Sequence, residues 1–152
     1  IMNNQLSHDE IISKIENIIE DTKVFTAVRD LSYSVKGGRV PKVVKTISDI
    51  FNFKPILTIN DEGLIKPSGV YFGKKNVPEK FFKKILKKID KTFQYNIAIG
   101  HALCESDGKR LKSLFEKQPD LFKEVELIEI GCALGVHTGP GALSIAFQKI
   151  ND

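Results

Sequence analysis

The residues best equipped for chemistry lie in the run Gly135-Val136-His137-Thr138-Gly139-Pro140-Gly141-Ala142-Leu143. Three glycines and a proline within positions 135–141 do not continue a helix or a regular strand, so a rigid loop is expected there, with backbone able to approach another group closely. His137 can donate or accept a hydrogen bond and belongs to the residue type that titrates near neutrality; Thr138 adds a hydroxyl. Amides around Gly139 and Gly141 would supply further donors to an anion, a carboxylate or a phosphate. The plainer reading is a turn whose histidine is solvated or capped. Arg39, directly after Gly37-Gly38, is the second candidate. Its guanidinium suits bidentate contact with a carboxylate or phosphate, and its plain role is a surface salt bridge.

An enzyme using His137 as general base needs a nucleophile and an orienting carboxylate beside it. Cys132, Thr138 and Ser144 are the nearby candidates, but the nearest carboxylate, Glu129, is eight residues back along the chain. Cys104 and Cys132 read as buried free thiols that could neighbour one another in a sheet, in a reduced, cytoplasmic setting. His8, His101 and His137 lack the spacing of a metal site. No metal or cofactor is expected. His101, in Gly100-His101-Ala102, reads as a satisfied structural histidine.

These groups must be positioned by elements that the sequence punctuates clearly. Ser7 with Glu10 three residues later is a capping box, and the stripe Ile11, Ile12, Ile15, Ile18, Ile19 carries a helix to Asp21. Val24 to Val28 reads as a strand. A helical turn from Asp30 to Lys36 stops at Gly37-Gly38, and Pro41 opens a helix with the stripe Val43, Val44, Ile47, Ile50, Phe51. Pro55–Ile59 and Leu64–Phe72 form a hairpin around Asn60-Asp61-Glu62-Gly63. Strand Tyr95–Leu103, a helix marked by Leu111, Leu114 and Phe115, and strands around Val125–Ile130 and Leu143–Ile150 complete the order. With the helices on one face, six strands and four or five helices give a two-layer α/β domain with a mixed sheet. Such a domain must cover its second face with another domain, a partner or an apolar ligand.

The 152 residues are one domain by size, 41% hydrophobic and 28% charged, with a net charge of +4. No run of about 18 apolar residues provides a membrane span. The opening Ile1-Met2-Asn3-Asn4-Gln5 carries no secretory signal pattern, and an isoleucine in first place reads as the start of an excised piece. Lys80, Lys83, Lys84, Lys87, Lys88 and Lys91 crowd one segment. Phe81, Phe82, Ile85, Leu86 and Ile89 recur opposite them at helical spacing, which makes a solvated helix face rather than a nucleic-acid site.

Three segments together resemble the DegV family. His137-Thr138-Gly139-Pro140-Gly141-Ala142-Leu143 is similar to its HTGPGAL segment, Asp30-Leu31-Ser32-Tyr33-Ser34-Val35-Lys36-Gly37-Gly38-Arg39-Val40 to its GGRI segment, and Lys54-Pro55-Ile56-Leu57 to a weaker kPil. The resemblance covers the second of the family's two domains, so residues 1–152 are expected to be a C-terminal domain without the first. It implies a non-catalytic carrier that binds a long-chain fatty acid and presents the carboxylate to a partner kinase or acyltransferase. Ligand contact then falls to His137, Thr138, Gly139 and Gly141, and partner contact to Arg39 and Gly38. The family's second arginine is missing near Tyr71-Phe72-Gly73, where Lys74 and Lys75 follow. Nucleotide and Mg²⁺ would reside on the partner, since this chain has no Gly-x-x-x-x-Gly-Lys-Ser/Thr loop. The rivals are a hydrolase or transferase working through His137, and a regulatory module that dimerises through its open sheet face.

Overall fold

The computed structural model describes residues 6–150; the opening segment 1–5 lies outside the described residues. Twelve elements follow one another: α1 (His8–Asp21), β1 (Thr22–Ala27), α2 (Leu31–Lys36), α3 (Lys42–Phe51), β2 (Phe53–Ile59), β3 (Ile65–Phe72), α4 (Val77–Ile85), β4 (Gln94–His101), α5 (Glu105–Glu116), β5 (Phe122–Glu129), α6 (Cys132–Thr138) and β6 (Leu143–Ile150). The strands form one sheet in the order β3-β2-β1-β6-β4-β5. Every neighbouring pair is antiparallel except β4 with β5, which the α5 crossover joins in parallel. The mixed six-stranded α/β architecture expected from the pattern is what the chain adopts.

Alternation divides the sheet into two faces. Phe25 and Ala27 of β1, Ile97 and Ile99 of β4 and Ile145 and Phe147 of β6 point to the face that α4 and α5 cover, where Phe81, Ile85, Leu111 and Phe115 are fully buried. Aromatic edges lock this layer: Phe115 meets Phe82 and Phe122 in T-shaped contacts, each with centroids 4.9 Å apart. The intervening residues Val24, Thr26, Asn96, Ala98, Ala146 and Gln148 stay partly open on the other face.

Several expectations need correction. The segment read as a loop is helical as far as Thr138, so the element order gains α6. Isolated propensity disfavours a glycine-bearing helix by about 1 kcal/mol per glycine, but α6 packs on α2, where the Ser34 hydroxyl donates to the His137 carbonyl at 2.7 Å. The Ser7–Glu10 capping box forms in both directions, yet no residue of α1 is buried, and Ile11 to Ile19 stand 42–65% exposed. In α3, Ile50 and Phe51 face solvent, while the Val43 and Ile47 side chains lie outside the described set. The lysine-bearing helix ends at Ile85, and Lys80 is not merely solvated: its ammonium donates to the Phe72 and Lys75 carbonyls at 2.6 and 2.8 Å.

Candidate functional site

Residues from both ends of the chain meet on the open face. Asp30 caps α2 by accepting from the Ser32 amide, and α2 stops at Gly37, after which Gly38 takes φ +70° and turns the chain toward Arg39. The last turn of α6 lies alongside. Between them is a cavity of about 120 Å³, walled by Val24 and Thr26 of β1, Leu57 and Ile59 of β2, Ile65 of β3 and Leu134 of α6. Its polar lining includes Ser34, Arg39, His137 and Thr138. The two candidates that the sequence assigned to separate tasks, Arg39 and His137, thus share one cavity.

Their surroundings differ. Arg39 is exposed, with Nη1 donating to the Gly37 carbonyl at 2.8 Å. His137 is half-buried, and its Nδ1 is enclosed without a hydrogen-bond partner. Thr138 is buried and its hydroxyl already donates to the Leu134 carbonyl at 3.2 Å. Gly38 meets nothing at its open side, so its place is a turn requirement.

Gly139 and Gly141 are not among the residues lining the cavity. Both need positive φ, and a Cβ would strike Tyr33 at 2.5 Å or Arg29 at 2.6 Å, respectively. Their amides do not stand ready for an anion, as the sequence suggested. The Gly139 amide donates to the Gly135 carbonyl at 2.8 Å and the Gly141 amide to Ala102 at 2.7 Å.

The other titratable groups are also placed. His101 is buried beside Gly108, but its Nδ1 lacks a partner, so it is not the satisfied histidine that the sequence suggested. Cys104 is half-buried at the start of α5 and Cys132 is exposed at the start of α6, so neither lies in the sheet and neither is the buried thiol that was expected. Burial pushes the Cys104 thiol up. The Ser144 hydroxyl pairs with Thr26 at 2.8 Å across β1 and β6. His137 Nδ1 has no hydrogen-bond partner, and among the described residues no group of histidine, cysteine or acidic side chains has the arrangement of a metal site. Sequence reading missed Arg29, whose guanidinium pairs with Asp107 while Gly141 packs against it. A lone arginine after a strand gave no signal for this.

The fold and this cavity define a mixed α/β module with an apolar pocket bordered by an imidazole and a guanidinium. The family model described as "Uncharacterised protein, DegV family" matches residues 1–149, and the chain belongs to that family. A DegV domain-containing protein of Clostridium perfringens is 32% identical over 143 residues, covering 94% of this chain and 50% of that protein. The crystal structure of a fatty acid binding DegV family protein from Streptococcus agalactiae superposes with a TM-score of 0.79 at 28% identity, over 96% of this chain and 51% of that one. The Streptococcus pneumoniae fatty acid kinase (Fak) B3 protein, loaded with linoleic acid, shares the fold at a TM-score of 0.79 and 17% identity, over 94% and 50% of the two chains. The chain spans about half the length of the relatives it matches.

Proposed function

We propose that this chain is one wall of a fatty-acid carrier, with the acyl tail lying on the apolar cavity and the open sheet face and its head group near His137. The observation that carries the reading is the joining of Arg39 and His137 at a cavity whose walls are otherwise largely aliphatic. The likeness to the S. agalactiae fatty acid binding protein supports the choice of ligand. Sites for ligands of drug size enclose about 300–1,000 Å³. At about 120 Å³ the cavity takes only part of a long tail, so the rest needs a second wall. Burial contributes about 0.8 kcal/mol per methylene, so a half-covered tail loses much of its driving force.

In this reading the carrier does no chemistry itself. A general base needs an acceptor on its far nitrogen to hold the tautomer and stabilise the imidazolium. The partnerless Nδ1 of His137 argues against that role. Arg39, exposed at the same cavity, is assigned to docking a kinase or acyltransferase that acts on the carboxylate.

Native mass spectrometry of the whole protein purified from cells tests the reading. A co-purified long-chain fatty acid, displaced by added palmitate, is the expected result. A protein that emerges without lipid and does not take up palmitate would overturn it; a mass that rises with concentration in the same samples would point to the dimerisation module instead.

A further inference from the structure

Gly37 occupies a place where a side chain would collide with the site. Its φ of −77° is open to any residue, but a Cβ there would lie 2.1 Å from His137 Nδ1 and 2.8 Å from Cε1. The glycine is itself held, its amide donating to the Tyr33 carbonyl at 2.9 Å and its carbonyl accepting from Arg39 Nη1 at 2.8 Å. On the α6 side, Ser34 fixes the backbone of His137. The imidazole is therefore pressed against a backbone Cα–H with its Nδ1 buried.

That contact decides where the ring proton sits. A proton on Nδ1 would be a buried donor aimed at a group that cannot accept it, an arrangement folded proteins avoid. A lone pair there faces a Cα–H, a weak but favourable pairing. Which nitrogen of a neutral imidazole carries hydrogen is set by what the other one meets.

We propose that Gly37 is a positioning residue for His137, fixing both ring orientation and tautomer so that the site presents an Nε2–H donor. Such a donor takes a head group that accepts a hydrogen bond, such as a carboxylate oxygen, and discriminates against an alkylammonium. Only the choice of ligand rests on the fatty-acid reading; the tautomer follows from the packing.

The test is long-range ¹H–¹⁵N correlation spectroscopy on the whole protein labelled at histidine, at an alkaline pH where imidazoles are neutral. His137 is identified by the signal lost in His137→Ala. The expected spectrum shows the Nε2–H pattern for His137, and Gly37→Ala shifts that signal toward mixed tautomers while the other histidines stay put. An Nδ1–H pattern in the parent, or an unchanged His137 signal in a folded Gly37→Ala protein, would overturn the proposal. Should Gly37→Ala fail to fold, a nuclear Overhauser contact between the Gly37 α-protons and the His137 ring in the parent decides, and its absence would overturn the proposal. An Nε2–H pattern in a protein that takes no palmitate would sink the fatty-acid reading and leave this one standing.

Discussion

Two helices of this chain carry apolar stripes of similar quality and meet opposite fates. On α4, Phe81, Phe82 and Ile85 are 0–9% exposed, sealed between the sheet and α5. On α1, five isoleucines at equally regular spacing are 42–65% exposed. Periodicity reports that a helix has an apolar side; it says nothing about what covers that side. The same contrast runs through the sheet, one face closed by aromatic packing and the other holding a small cavity and partly open strands. Among the described residues, one face of the sheet is closed and the other is only partly covered.

The sharpest way to test that difference is to damage the closed side. Phe115→Ala removes a fully buried ring wedged between Phe82 and Phe122, and should cost about 3–5 kcal/mol in urea unfolding. A loss below about 1 kcal/mol would mean that the covered layer is looser than its geometry implies.

A titratable group in the same layer gives a second, smaller signal. Burial holds the Tyr71 hydroxyl protonated well above its ordinary range, and it donates to the Val28 carbonyl at 3.0 Å. The folded state then binds this proton more tightly than the unfolded chain. Stability is fully present below the unfolded tyrosine pKa of about 10 and falls as pH rises beyond it, by at most about 1.4 kcal/mol per pH unit for this one group. Urea midpoints measured from about pH 8 to 11 should decline at the alkaline end, and Tyr71→Phe should reduce that slope. The remaining slope belongs partly to Tyr95, whose hydroxyl is raised by burial as well. Identical slopes in parent and variant would remove Tyr71 from the account.

The smallest effect is expected on α1. Ile19→Ser changes a side chain 65% exposed, so stability of this 152-residue chain should move by less than about 0.5 kcal/mol. The informative step is to repeat the substitution in the whole protein. A loss there of about 1 kcal/mol or more would show that the stripe is covered by something outside these residues; equal and small losses would leave it a solvent-facing stripe.

Features that a short stretch of sequence determines were legible before any coordinates. The Ser7–Glu10 box, the hairpin turn with Gly63 at φ +78° and the alternating strands all follow from local rules. Helix α6 was not legible beside the glycines that follow it, because its packing on α2 is tertiary. Gly139 and Gly141 read as donors to an anion, but both sit at positive φ, and the destinations of their amides depend on Gly135 and on Ala102, far away in sequence for the latter. The meeting of Arg39 and His137 is of the same kind. Ninety-eight residues separate them, and only the pairing of β1 with β6 and the contact of α2 with α6 bring them together.

That pairing has a consequence for how the molecule is made. β6, the last strand along the chain, lies in the middle of the sheet, hydrogen-bonded to β1 on one side and β4 on the other. Without β6 the strand order divides into two groups, β3-β2-β1 and β4-β5, and β1 and β4 lose the neighbour they share. Unpaired edges of this kind invite pairing with other chains. A chain cut short before Leu143 is therefore expected to expose the edges of β1 and β4 to pairing with other chains, a hazard to its neighbours more than a loss of stability.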